Sequence, residues 1–134
     1  NIRNQKKLFM RGIEMTNRLE NMKMKIILLW IVVSVNMIFA DIFSFMFLTE
    51  FPVTQEMMLV MAIILEIPIA MIFLSWVLKD KANRLANIIA SAVTIPFIIA
   101  GYSAYLHYYF FATIEIVCIA LIIGYAWKWP KQEG

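Results

Sequence analysis

Three long apolar stretches constrain this chain more than any other feature of its sequence. They cover residues 26–48, 57–78 and 85–129. A membrane-spanning α-helix needs about 20 predominantly apolar residues, so each of the first two stretches matches one span. The third stretch is twice that length and has to fold back, which we expect at its least lipid-like segment, 101–107. The sequence therefore predicts four spans.

The composition agrees with lipid as the surrounding solvent. Hydrophobic residues make up 63% of the 134 residues and charged residues 16%, against about 45–50% and about 25% in soluble domains. A chain this short has too little interior to hide so much apolar surface from water. Backbone groups in hydrocarbon must be satisfied within a helix or a closed barrel, and the strand alternation of a barrel is absent.

We therefore expect an all-α membrane protein in which four transmembrane helices form an up-down bundle. The predicted segments are a basic N-terminal juxtamembrane segment at 1–25, a transmembrane domain at 26–129 with spans at about 26–48, 57–78, 84–104 and 108–128, and a tail at 130–134.

The basic residues all fall on one side of this predicted topology. All twelve Lys and Arg residues lie in the N-terminal segment, at the connection between the second and third spans (up to Arg84) or at the C-terminal end (Lys128 and Lys131). The positive-inside rule then places both termini in the cytoplasm. Tryptophans near those ends, Trp30 among them, and tyrosines near the outer turn match interfacial aromatic belts. The same asymmetry excludes an antiparallel dual-topology dimer and leaves a parallel homodimer open. Because the basic residues flank the apolar runs, their placement argues against nucleic acid as a partner.

The basic N-terminal segment has two interpretations. Phe9, Ile13 and Leu19 could line one face of a helix that lies on the membrane surface. The alternative is a solvated tail that only sets orientation. No cleavable signal peptide is expected, because the first apolar run is too long and lacks a small-residue cleavage motif.

Three carboxyl groups lie within the predicted spans: Asp41, Glu66 and Glu115. With a rise of about 1.5 Å per residue, they lie about 10, 14 and 10 Å from the outer ends of their helices. An ionisable residue inside a span is a functional hypothesis by default, because keeping it there costs several kcal/mol. No Lys or Arg lies at that level, so protons or a bound cation must neutralise the acids.

Neutral polar residues lie near the same level. In the third span, Asn87, Ser91 and Thr94 recur with Arg84 at helical spacing and predict one polar stripe. With Asn36 of the first span, we expect Ser91 and Thr94 to supply hydrogen bonds in a polar pocket that opens outward. The alternative is structural: protonated carboxyls would hydrogen-bond between helices, with Asn36, Ser34 and Thr94 as partners.

The sequence offers no catalytic signature. One cysteine, Cys118, excludes an internal disulfide framework, and the single histidine, His107, excludes the Cys/His clusters of ordinary zinc sites. Glu115 and Cys118 share a helix face, but one thiol without a nearby histidine makes a poor soft-metal site, and we expect Cys118 to be a packing residue. We therefore assign no catalytic residue, no metal and no cofactor, and an enzyme is the less favoured class.

Four segments resemble a family of small bacterial four-span membrane proteins that is known only as a domain of unknown function. The segments are NMIFADIFSFM (36–46), LEIPIAMIFLS (65–75), NRLANIIAS (83–91) and FFATIEIVCIALIIGYAWKWP (110–130). The resemblance covers roughly residues 24–130 and includes all three acids. It implies a multi-pass protein of the bacterial inner (plasma) membrane, and it implies no activity.

The sequence leaves three functions open. The leading one is binding or transport of a small solute or cation through an outward-facing acidic pocket, with proton coupling, where Asp41, Glu66 and Glu115 hold the charge. The second is an intramembrane acid/base enzyme that acts on a lipid or isoprenoid, which needs a cavity open sideways to lipid. The third is an accessory subunit of a larger membrane complex, which needs a dry core with every acid hydrogen-bonded.

Overall fold

Four α-helices make up the part of the chain that the structure describes. The computed structural model describes residues 1–47, 54–100 and 106–129. The helices are α1 (Ile2–Phe47), α2 (Gln55–Val77), α3 (Asp80–Ala100) and α4 (Leu106–Trp127), and these described ranges contain no strand. Each of the four is long and apolar enough to cross a membrane. The predicted all-α membrane protein with four transmembrane helices is confirmed, and the side on which the termini lie stays a prediction.

The helices form an up-down bundle. Each helix packs against the next one in the chain, and α4 closes the ring by packing against α1. Among the described residues, the diagonal pairs α1 with α3 and α2 with α4 make no close backbone approach. Short connections make sequential helices antiparallel, as expected for such a bundle.

Side chains from outside α2 complete both of its ends. Thr54 precedes the helix, and its Oγ1 accepts a hydrogen bond from the Met57 amide at 3.2 Å. At the other end, the Asn83 side chain of α3 donates to the Ser75 carbonyl at 2.6 Å and to the Leu78 carbonyl at 3.2 Å. Asn83 thereby satisfies terminal carbonyls of α2 that a helix end otherwise leaves without a donor.

The longest helix, α1, has 46 residues and continues without a break through the predicted boundary at residue 25. At about 1.5 Å per residue it is about 69 Å long. Its side chains are exposed as far as Arg18, and Leu19 is the first to join the core cluster, which also contains Trp129 of the C-terminal end. Residues 2–18 are thus a helical continuation of α1 that projects from the bundle, and its position on a membrane surface or in solvent stays a prediction. Where the membrane begins along it stays a prediction, because helix bounds do not mark membrane bounds.

Cation–aromatic pairs distinguish one end of the bundle. The Lys25 Nζ lies 5.6 Å from the centroid of the Tyr125 ring, and the Arg84 Cζ lies 5.7 Å from that of Trp127. Here α1 leaves the bundle, α2 connects to α3 and α4 ends, and we call this the terminal end. The opposite end, which includes 48–53 and 101–105 outside the described residues, is called the loop end.

Candidate functional site

Two of the predicted acids come together where α1 packs against α4. Glu115 of α4 is buried, with 3% of its surface exposed, and Asp41 of α1 is half-buried. A stacked contact between the Phe43 and Phe111 rings, whose centroids are 5.7 Å apart, joins α1 and α4 within about one turn of both acids. Tyr108 lies two turns from Glu115 towards the loop end and is also near both acids. We call Asp41 and Glu115 the acidic pair.

Glu115 Oε1 and Ser91 Oγ are both buried, and neither has a hydrogen-bond partner among the described residues. The hydroxyl of Tyr108 donates to the Ile98 carbonyl at 2.7 Å, which fixes the register of α4 against α3. Glu115 on α4 and Ser91 on α3 each lie about two turns from this hydrogen bond, in the direction of the terminal end. Both residues are therefore at the same level of the bundle. Each unpartnered buried polar group costs about 1–3 kcal/mol.

A cleft of about 250 Å³ lies between α1 and α2 beside the acidic pair. Its lining consists of Ile38, Asp41, Ile42, Met58, Met61, Ala62 and Leu65. Ile38, Ile42 and Met58 are exposed on the flank of the bundle, so the cleft opens sideways. Asp41 is the only ionisable residue in this lining, which contains residues of α1 and α2 only.

The structure does not bring Glu66 to the acidic pair. Its side chain is exposed on the outer surface of α2, at the twelfth of the 23 helix positions. The three acids expected at one pocket are thus divided between an interior pair and one outward-facing residue.

The neutral candidates bond mostly to their own helices. The Asn36 side chain donates to the Val32 carbonyl at 2.7 Å, and Thr94 Oγ1 donates to the Ala90 carbonyl at 2.7 Å. Ser34, the third partner considered for structural hydrogen bonds, donates to the Trp30 carbonyl at 2.8 Å. The bonds of these three residues follow the one-turn pattern common for short polar side chains within helices and do not reach either acid.

A second buried polar cluster lies nearer the terminal end. Asn87 Oδ1 accepts hydrogen bonds from Trp30 Nε1 at 2.7 Å and from Ser75 Oγ at 3.2 Å. The Asn87 amide donates to Oδ1 and to the carbonyl oxygen of Asn83, at 2.6 and 2.9 Å. All four side chains are fully buried. We call Trp30, Ser75, Asn83 and Asn87 the asparagine cluster.

The sequence predicts only the α3 part of this cluster. The sequence predicts Asn87 on the polar stripe of α3, but it predicts Trp30 in the aromatic belt, and that prediction is wrong because the ring is fully buried in the bundle. The signal that could have linked them is chemical: a buried indole N–H needs an acceptor, and a stripe of asparagines supplies one.

The described residues hold no group of three or more His, Cys, Asp or Glu side chains arranged to bind a metal ion. Cys118 is buried within the hydrophobic core cluster, one turn from Glu115. His107 is half-buried near the loop end, where its Nε2 lies 3.5 Å from Ser44 Oγ.

A comparison with known protein families identifies one family that matches the chain. The model of a family described as "Family of unknown function (DUF6326)" matches residues 13–134. The chain belongs to DUF6326. The match includes all four spans and the three acids, and it confirms the resemblance to a family of unknown function. No curated protein and no solved structure matches the chain, so family membership brings no activity with it.

Proposed function

We propose that this DUF6326 protein binds a small cationic or protonatable solute at the acidic pair and exchanges it for a proton as part of transport. The proposal rests on the environment of the Glu115 carboxyl group. Its carboxyl group is buried beside a second carboxyl group, and its Oε1 has no hydrogen-bond partner among the described residues.

The charges of the chain support this proposal. No Lys or Arg occurs in 26–78 or in 85–127. Two carboxylates facing each other in a medium of low dielectric constant repel strongly, and each pays a large desolvation cost unless it is neutralised. A proton or a bound cation supplies that neutralisation, and a solute cation that binds the pair displaces the proton.

The cleft supports an organic cation as the solute. Its walls are apolar apart from Asp41, and two of its lining residues are methionines, whose flexible side chains adapt to different shapes. An amphipathic amine could place its apolar part among these residues and its charge against Asp41, entering from the lipid. The mouth of the outward-opening pocket predicted from the sequence would lie at the loop end, where 48–53 and 101–105 are outside the described residues.

The proposal places the terminal end in the cytoplasm. The pairs of Lys25 with Tyr125 and of Arg84 with Trp127 support this orientation, because basic and aromatic residues together are typical of the cytoplasmic interface. Thr54→Cys and Lys79→Cys in a Cys118→Ala background test it. In intact cells a membrane-impermeant maleimide should label position 54 only, and the reverse pattern would invert the topology.

The binding test uses neutral variants of nearly unchanged shape. We would add benzylammonium chloride to detergent-purified protein in weak buffer, follow proton release with a pH indicator and record the melting temperature. Asp41→Asn and Glu115→Gln should each abolish proton release and leave the melting temperature nearly unchanged. Glu66→Gln is the matched control, since Glu66 lies away from the pair, and it should release protons as the wild type does.

Two results would contradict the binding proposal. One is proton release that persists in both Asp41→Asn and Glu115→Gln. The other is release that disappears equally in Glu66→Gln, because the signal would then not come from the acidic pair.

The sideways opening of the cleft favours one second candidate, an acid/base enzyme acting on a lipid or isoprenoid. Two neighbouring carboxyl groups in different environments can serve as acid and base. Incubation with a bacterial polar lipid extract, followed by mass spectrometry, separates the candidates, because only the enzyme produces a new lipid species that requires Asp41. The accessory-subunit hypothesis expects every acid to be hydrogen-bonded, and the unpartnered Glu115 Oε1 argues against it.

A further inference from the structure

Helix α2 is the least covered span of the bundle. Only 11% of its most apolar 18-residue stretch is buried, compared with 28% in α1, 33% in α3 and 28% in α4. Leu59, Ile63 and Phe73 lie exposed along its outer face. An apolar face is stable against lipid on its own, so exposure alone does not identify a partner.

Glu66 is the feature that indicates a partner for α2, because it places a carboxyl group on that same apolar face. It lies at the middle of α2, about 17 Å along the helix from either end. Acidic residues in spans almost always face the bundle interior or a water-filled cavity, since exposure of their polar group to hydrocarbon is costly. A single copy of this chain leaves Glu66 directed outward.

The chain has no cation to offset this residue. No Lys, Arg or His occurs in 26–78, which contains all of α2 and the neighbouring span of α1. Glu66 is therefore neutral only in its protonated form, and the hydrogen-bond partner of that carboxyl group must come from outside the copy to which it belongs.

We infer that the outer face of α2 around Glu66 is the contact surface for a second copy of this chain, in a parallel two-fold dimer. A two-fold axis along the membrane normal brings the same residue of both copies to the same depth. Glu66 then meets Glu66 of the partner. A carboxyl group in its protonated form both donates and accepts hydrogen bonds, so the two side chains satisfy each other.

The residues next to Glu66 fit such a contact. Ala62 and Ala70 lie one turn to either side of Glu66 in the same row, and all three side chains are exposed. Ala62 also lines the cleft between α1 and α2, so this row borders the cleft. Small residues at this spacing allow two helices in a membrane to approach closely, which brings side chains on the shared face within hydrogen-bonding distance. The charge asymmetry of the sequence requires the parallel orientation, in which both copies have the same topology.

Cross-linking in native membranes tests the surface. In a Cys118→Ala background, Ala70→Cys should form a disulfide-linked homodimer on oxidation with copper phenanthroline. Val117→Cys on α4 and Ile89→Cys on α3 are matched controls, since those side chains are 55% and 54% exposed on other faces of the bundle. They should cross-link weakly or not at all.

Variants of Glu66 test the chemistry of the contact. Glu66→Gln keeps one donor and one acceptor, so the dimer should persist, whereas Glu66→Leu should weaken association about tenfold in dilution experiments in lipid vesicles. Both variants should fold as monomers, which their melting temperatures in detergent check.

Three results would overturn the inference. The first is that Ala70→Cys cross-links no better than Val117→Cys. The second is that Ala70→Cys cross-links to a different protein. The third is that Glu66→Leu associates as tightly as the wild type. None of these results bears on the acidic pair, because proton release in the binding test does not depend on Glu66.

Discussion

The asparagine cluster and the acidic pair lie inside one small bundle, the first fully buried and the second with Asp41 half-buried, and they differ in how completely their polar groups are partnered. In the asparagine cluster, Asn87 alone takes part in hydrogen bonds with three other side chains. At the level of the acidic pair, Glu115 Oε1 and Ser91 Oγ have no partner among the described residues. Satisfied polar groups hold helices in place, whereas unsatisfied ones cost stability and are retained where a ligand or proton uses them.

The asparagine cluster also determines which arrangement the helices adopt. The bond from Trp30 to Asn87 crosses the diagonal between α1 and α3, whose backbones do not approach each other closely within the described ranges. Ser75 brings α2 to the same acceptor. In lipid, where apolar side chains gain little by facing one another rather than the solvent, such directional contacts help to select one packing over others.

The largest expected effect comes from removing the acceptor at the centre of the asparagine cluster. Asn87→Leu leaves Trp30 Nε1 and Ser75 Oγ unpartnered, and it should lower the free energy of unfolding by about 2–4 kcal/mol. Unfolding in mixed micelles measures the change. Asn36→Leu is the control, because Asn36 bonds only to its own helix, and it should change stability by less than about 0.5 kcal/mol. Equal losses of unfolding free energy in both variants would show that the bonds of Asn87 between helices stabilise the bundle no more than the bond of Asn36 within its own helix.

Trp30→Phe should cost less, about 1 kcal/mol, because Ser75 still donates to Asn87 after the indole donor is lost. The same unfolding measurement applies. Trp76→Phe serves as the comparison, since Trp76 is mostly exposed on α2 and no hydrogen bond of the described chain depends on it. If the two substitutions cost the same, the Trp30 bond contributes nothing beyond ring packing.

At the acidic pair, substitution should raise the free energy of unfolding instead of lowering it. Glu115→Met replaces an incompletely partnered carboxyl group with an apolar side chain of similar volume, and it should raise the free energy of unfolding by about 1 kcal/mol. Proton release in the binding test should be lost at the same time. Destabilisation comparable to that of Asn87→Leu would show that Glu115 is a structural hydrogen-bonding residue after all.

The smallest effect compares two buried serines. Ser75→Ala removes a donor to Asn87 and should cost about 1 kcal/mol, whereas Ser91→Ala removes a hydroxyl without a partner and should change stability by less than about 0.5 kcal/mol. Both positions are fully buried, so the size of the substitution is matched. A larger loss at Ser91 would mean that its hydroxyl contributes to the fold.

The sequence predicts the four helices because long apolar runs and charge placement are strong signals in a membrane protein. It also predicts the inward face of α3, where Asn87, Ser91 and Thr94 stand out at helical spacing from apolar neighbours and all three are buried. On such a helix, polarity marks the side that avoids lipid.

The direction of Glu66 could not be predicted in the same way. Helix α2 is apolar on all sides between Met57 and Leu74 except at Glu66 itself, so periodicity contains no information about which face is inward. Position along the helix gave the depth of Glu66 but not its direction. Trp30 was misassigned for a related reason, because a tryptophan near the end of a span fits an interfacial belt and a buried hydrogen bond equally well.

The uninterrupted course of α1 has a mechanical consequence. An α-helix is stiff over its length, and α1 extends from Ile2 in the projecting segment to Asp41 at the cleft and beyond. The part before Leu19, where the helix first joins the core cluster, is a projecting arm of about 26 Å. A tilt of α1 about the point where it enters the bundle would displace the tip of this arm and the Asp41 carboxyl in opposite directions, because the arm and one wall of the cleft belong to the same continuous helix.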